Sequence, residues 1–154
     1  MLTEHDKLEI LLVEDNAADI ELFERIMSGP YHLSVAETGA EAVDRLSQHG
    51  RFQSSVKPDL VVLDLNVPIL NGHQILDIIR INQSLRSIPV IVFSVSNRPD
   101  DVQKTYDLGA CAYLVKPSSL AETEKSLWAL AEFWIRHVVF PGLTRVLKPP
   151  SEHV

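Results

Sequence analysis

Five short apolar runs punctuate the chain, at 9–13, 31–36, 59–63, 89–93 and 111–115, each five or six residues long and most of them rich in β-branched side chains. Near-continuous apolar runs of this length read as strands of a parallel sheet, whose two covered faces suppress the in-out alternation of a half-exposed strand. Between them, apolar positions recur at helical spacing. Ile20, Phe23 and Met27 mark a helix over 17–28 that stops at Gly29-Pro30, and a second, over 40–48, follows Thr38-Gly39. Ile75, Leu76, Ile78 and Ile79 place a third over 72–81, and a fourth over 99–108 starts on Pro99 and ends before Gly109. A fifth runs over 119–137, and the polar stretch 49–58 reads as a surface loop. Strands alternating with helices predict an α/β doubly wound parallel sheet of five strands and five helices. Right-handed crossovers make 2-1-3-4-5 the expected strand order. The domain is expected over 9–138, between an N-terminal tail, 1–8, and a C-terminal tail, 139–154, that frays.

Composition narrows the class. The 154 residues suit one domain with a real core. A net charge of −7 and the absence of any basic run argue against a nucleic-acid partner, which needs clustered cations to displace counterions. No stretch reaches membrane-spanning length and residues 1–8 lack a signal-peptide core, so no membrane association is expected. The lone Cys111 has no internal disulfide partner, which fits a reducing cytoplasm, and it is expected to be a small buried hydrophobe.

Four of the apolar runs close on polar groups: Glu14-Asp15, Asp64, Ser94 and Lys116-Pro117. Ligands of open α/β sheets bind outside the carboxyl ends of the strands, so these groups should converge. Glu14, Asp15 and Asp64 together repel one another unless a cation offsets them; a hard divalent ion with oxygen ligands does so, Mg2+ first among them. We assign Asp15, Asp64 and the backbone carbonyl of Asn66 as direct ligands, and Glu14 as a ligand through water. A carboxylate at Asp64 that attacks a phosphoryl group yields an acyl phosphate. Lys116, the metal, and the Ser94 hydroxyl with nearby backbone N–H groups would then hold its three equatorial oxygens. A cis bond between Lys116 and Pro117 would aim the lysine back into the pocket. Pro68 and Gly72 shape the loop after Asp64. Each group alone has a bland reading: Asn16 and Asp19 as a capping pair, Asp64 and Ser94 as local caps, Lys116-Pro117 as an exposed turn. Their joint occurrence, one at each strand end, favours phosphoryl chemistry. The six histidines show no metal-ligand spacing, and His73 reads as a polar residue in a loop-to-helix turn.

In order and spacing, Glu14-Asp15, Asp64 with Asn66, Pro68 and Gly72, Ser94, and Lys116-Pro117 resemble the receiver domain of two-component response regulators, over roughly 8–136. The resemblance implies a flavodoxin-like fold and a sensor histidine kinase that donates a phosphoryl group to Asp64. It also implies an aromatic switch at Tyr113 that turns inward as Ser94 moves toward the phosphate. The run Leu63-Asp64-Leu65-Asn66-Val67-Pro68, the glutamate-aspartate order and Phe133-Trp134 are similar to small standalone receivers paired with bacterial phytochrome kinases, which implies a partner of that type. Ser94 stands for the commoner threonine, and Val95 is bulkier than the small residue usual there; both bear on rate rather than on reaction. Beyond metal-dependent self-phosphorylation and slow autodephosphorylation, no enzymatic turnover is expected. A phosphatase with an aspartyl-phosphate intermediate would need a second aspartate where Asn66 stands. A phosphate-independent scaffold would not need Asp64, Ser94 and Lys116 intact.

On the fifth helix, Leu127, Trp128, Leu130, Ala131, Trp134, Ile135, Val138 and Val139 span an arc of roughly 180° at ~100° per residue, wider than one core-facing stripe, and Phe133 lies outside it. Either the tail covers this surplus through Phe140 and Leu143, or it is an interface. We favour a homodimer through Tyr113, Phe133 and Trp134.

Overall fold

The apolar runs form five parallel strands, β1 (Leu8–Val13), β2 (Tyr31–Ala36), β3 (Leu60–Leu63), β4 (Val90–Ser94) and β5 (Ala112–Val115), in the order β2-β1-β3-β4-β5. The helices are α1 (Ala17–Ile26), α2 (Gly39–Ser47), α3 (Gly72–Ile81), α4 (Pro99–Asp107) and α5 (Leu120–Arg136). This computed structural model describes residues 7–27 and 31–141; the helix stop at Gly29-Pro30, Leu143 and much of the two expected tails lie outside them. The doubly wound fold and its strand order are as the hydrophobic pattern predicts, with element ends displaced by one or two residues. The loop 49–58 contains one short 3-10 turn, Gly50–Phe52.

Alternate residues of each central strand enter opposite cores. Ile10, Leu12, Leu60, Val62, Ile91 and Phe93 pack with Leu22, Phe23 and Ile26 of α1 and with Leu127, Leu130 and Ile135 of α5. Leu11, Val13, Val61, Leu63, Val90 and Val92 pack with Ala42 and Leu46 of α2 and with Ile75, Leu76 and Ile79 of α3. With both faces covered, β1, β3 and β4 can be almost wholly apolar, Glu9 of β1 and Ser94 of β4 excepted. Cys111 departs from expectation: it is exposed, because it precedes β5 at the open edge of the sheet.

Side-chain caps start four helices at the end of the sheet where the strands finish. Asn16 accepts from the Asp19 amide, Thr38 from Glu41, and Ser119 from Glu122, while Asn71 and Gln74 form a reciprocal capping box. α4 instead starts on Pro99, whose missing N–H is no loss in a first turn.

The aromatic set of α5 divides. Trp134 is half-buried, 6.3 Å from the ring of the buried Phe140, so residues just beyond the helix do cover part of the surplus. Phe133 (57% exposed) and Trp128 (54% exposed) remain outside, about 140° apart around the helix. Trp128 follows Glu124 by one turn, and Glu124 bonds Arg25 of α1 at 3.1 Å; Trp128 therefore flanks α1, away from Phe133.

Candidate functional site

Register brings the polar strand ends together. Val13 pairs with Leu63 and Leu63 with Val92, so the next residue of each strand emerges beside its neighbours. Backbone bonds extend this one step past the strands: Glu14 N–H to Ala36 O at 2.9 Å, Asp64 N–H to Val13 O at 3.0 Å, and Lys116 N–H to Ser94 O at 2.7 Å. Glu14, Asp64, Ser94 and Lys116 thus occupy one pocket at the carboxyl edge of β1, β3, β4 and β5.

Lys116 is its electrostatic centre. Its Nζ donates to Glu14 Oε2 at 2.6 Å, to Asp64 Oδ2 at 2.9 Å and to Asp19 Oδ2 at 2.9 Å. An ammonium has three donors, and all three are used. Burial alone would lower the lysine pKa, but the bonds to Glu14, Asp19 and Asp64 outweigh it and hold it above the ordinary range. Glu14 is driven the other way from a usual carboxylate: burial and the nearby Asp64 raise it from 4.5 to about 7, against the lowering bond from Lys116.

Asp64 is buried at the end of β3, and its Oδ1 accepts from the Asn66 N–H at 3.0 Å, a turn that fixes the carboxylate while the Asn66 residue stays exposed. Glu14, Asp15 and Asp64 each offer an oxygen, all within 4.8 Å of one another, with Glu14 and Asp64 buried and Asp15 exposed at the mouth. An all-carboxylate donor set, open on one side, suits a hard divalent cation that keeps part of its water. The Ser94 hydroxyl is fully buried and makes no hydrogen bond of ordinary length and angle among the described residues, with only a weak approach from the Tyr113 hydroxyl. Buried polar atoms are ordinarily paired, so this one is shaped for a partner that arrives from outside.

Tyr113 faces the β4–α4 loop: its hydroxyl donates to Ser96 O at 2.8 Å, and its backbone N–H donates to the Tyr106 hydroxyl at 3.1 Å. The bond between Lys116 and Pro117 is trans, contrary to expectation. The trans form is favoured even before proline, and Lys116 reaches the three carboxylates without the cis turn. Phe133 and Trp134 lie in the last turns of α5, roughly 20 Å along the helix from its start. His73 bonds the buried hydroxyl of Thr105 at 3.0 Å and ties α3 to α4, away from the carboxylates.

Asp19 is the residue that sequence reasoning missed. In the sequence it reads as half of a capping pair, and its backbone N–H does bond Asn16 at 3.0 Å, but its side chain turns into the pocket. The available signal was its place in the first turn of a helix that starts at the acidic pair.

Residues 10–127 match the response regulator receiver domain family. The chain is 35% identical over 136 residues to response regulator Rcp1 of Synechocystis, covering 86% of this chain and 92% of that protein. The crystal structure of the phosphorylated cyanobacterial phytochrome response regulator RcpA aligns with a TM-score of 0.85 at 34% identity, over 88% of this chain and 99% of that one. The Mn2+-bound form of Rcp1 aligns with a TM-score of 0.85 at 34% identity, over 87% and 99%.

Proposed function

The chain belongs to the response regulator receiver family, and on that premise we propose that it accepts a phosphoryl group on Asp64 from a sensor histidine kinase of the phytochrome type and signals through a phosphorylation-dependent change of its surface. The observation that carries this reading is the convergence of Asp64, its lysine partner and an unpartnered buried hydroxyl on three adjacent strand ends. The kinase type rests on the similarity to RcpA and Rcp1.

An Asp64 carboxylate oxygen attacks the phosphorus of a phosphohistidine. The O–P bond forms as the P–N bond breaks, and the electron pair returns to the histidine nitrogen. Lys116 needs little movement to help, since its Nζ already bonds the attacking carboxylate and can pass that bond to a phosphoryl oxygen. Ser94 gains in the same event the partner it lacks, which draws the end of β4 toward the phosphate. Tyr113 is bonded two residues further along that loop, at Ser96, and transmits the displacement to the edge of the sheet at β5. A divalent cation, Mg2+ or Mn2+, held by Glu14, Asp15, Asp64 and the Asn66 backbone carbonyl, would supply the charge that lets a phosphoryl dianion approach these carboxylates. The existence of a Mn2+-bound form of the similar Rcp1 supports a divalent cation as the occupant.

Among the described residues no helix is long and apolar enough to cross a membrane. The protein we propose is a cytoplasmic phosphoacceptor with its receiver over 9–138, paired in a homodimer. Incubation with a phytochrome kinase and ATP should label the wild-type chain with an acid-stable, alkali-labile phosphate. Asp64→Asn should abolish the label and a chelator should suppress it. Full labelling of Asp64→Asn overturns the reading.

A further inference from the structure

The pocket contains more negative charge than a cation site needs. Glu14, Asp15 and Asp64 form the mutually close trio, and Lys116 already binds two of its members, Glu14 and Asp64. An ammonium and a divalent cation cannot share the same two carboxylates at full strength: they repel each other, and each oxygen that turns to the cation leaves a lysine donor unpaired. Lys116 is only 7% exposed, so an unpaired donor there has little water to replace the lost partner. Among the described residues Asp19 is the one carboxylate bonded to Lys116 from outside the trio. It comes from the first turn of α1, accepts from Nζ at 2.9 Å, and is 30% exposed, at the rim rather than the floor.

We propose that Asp19 is a positioning residue for Lys116: it retains the ammonium when a divalent cation claims Glu14 and Asp64, and so permits the cation and the lysine to occupy one pocket. The inference rests on the receiver reading above and adds a fourth carboxylate to it. Asp19 accepts from Nζ at 2.9 Å, the same distance as Asp64, with Glu14 closer at 2.6 Å. With the cation bound it is the acceptor that remains to the lysine, and it holds Nζ beside Asp64, where the phosphoryl group is to be bonded. The Asn16 cap fixes the backbone N–H of Asp19 in the first turn of α1, and so the point from which its side chain reaches Nζ.

The arrangement separates two effects of removing Asp19. Loss of one negative charge near the site weakens any cation modestly, whatever Lys116 does. Loss of the anchor weakens it further, but only while a lysine is present to be accommodated. A double-mutant cycle isolates that second part. Mg2+ binding is measured by titration calorimetry on wild type, Asp19→Asn, Lys116→Ala and the double variant, with circular dichroism to establish that each is folded and Asp19→Glu as the conservative control.

The expected result is that Asp19→Asn lowers Mg2+ affinity roughly three- to tenfold in the Lys116 background. The same change should lower it no more than about twofold in the Lys116→Ala background, with Asp19→Glu near wild type. Equal losses in both backgrounds, or none in either, overturn the positioning role while leaving the receiver reading intact. A wild-type chain that binds no Mg2+ at millimolar concentration overturns the cation site itself, and the proposal with it.

Discussion

Glu14 and Lys116 form a 2.6 Å ion pair below the surface, and the two members respond to it differently. The lysine has three carboxylates and stays charged; the glutamate has one lysine, is almost fully buried and stands against Asp64, so its pKa rises from 4.5 to about 7. A carboxyl raised in the folded state binds, between those two values, a proton that the unfolded chain has released. Stability therefore falls as pH rises through that window, the reverse of a salt-bridged carboxylate with a lowered pKa. Lys116 titrates well above this range and does not mask it. Glu14→Gln stays neutral at every pH, so in chelator its stability relative to wild type should increase between pH 5 and pH 8 by on the order of 2 kcal/mol. Melting curves at the two pH values check this, and a difference that does not change with pH removes the buried charge at Glu14 as its source. Asp64, Ser94 and Lys116 were legible in the sequence because each interrupts an apolar run, where a polar group has no packing reason to stand. Asp19 was not, because a helix-capping role already accounted for it, and a cap fixes the backbone amide without fixing where the side chain goes.

The loop from β3 to α3 is the element that carries Asp64, and its shape depends on a neighbour far away in sequence. Ile69 and Leu70 both have positive φ, 62° and 127°, conformations that L side chains seldom adopt and that surrounding structure must impose. Part of that imposition comes from α2. The Gly39 N–H donates to Pro68 O at 2.9 Å, and a Cβ at Gly39 would lie 2.1 Å from the Leu70 carbonyl oxygen. The first residue of α2 is therefore glycine so that the loop carrying Asp64 can rest on it. Gly39→Ala should push the loop outward, lowering stability by about 1–3 kcal/mol and slowing phosphorylation of Asp64. Denaturant midpoints and the labelling rate check both parts, and an alanine variant of wild-type stability and rate would show that the contact yields without consequence. The elements themselves were readable from hydrophobic period, caps and Gly or Pro stops. This contact was not: Thr38-Gly39 reads equally well as an ordinary helix start, and only the three-dimensional approach of residues 68–70 distinguishes the two.

At the scale of the molecule, the sheet decides which aromatic residues can act together. Tyr113 packs against the core beneath α2 and α3, and Trp134 against the core beneath α1 and α5. The surface they can share is the open edge at β5, the last strand in the order. Topology was legible because alternating strands and helices leave few choices. The distribution of the aromatics was not, since a helical arc shows which side chains are surplus but not which flank meets α1. Among the described residues, Phe133 is the large apolar side chain of α5 left exposed on the edge side, with Trp134 spent largely on Phe140. A homodimer through this edge must bury enough apolar area to outweigh the repulsion between two chains of net charge −7. The proposed contact therefore centres on Phe133, and Trp134 is a poor residue to substitute because its loss would open the core. Phe133→Glu places a charge at the contact and removes from the fold only the edge-to-face contact of Phe133 with Trp134, whose ring centroids lie 5.8 Å apart. It should convert a wild-type dimer to a monomer that melts within a degree or two of wild type and still accepts phosphate at Asp64. Trp128→Glu, on the α1 flank, should leave the dimer intact. Light scattering that shows a wild-type monomer at high concentration, both with and without phosphorylation, would sink the dimer and leave Phe133 as an exposed ring resting edge-on against Trp134.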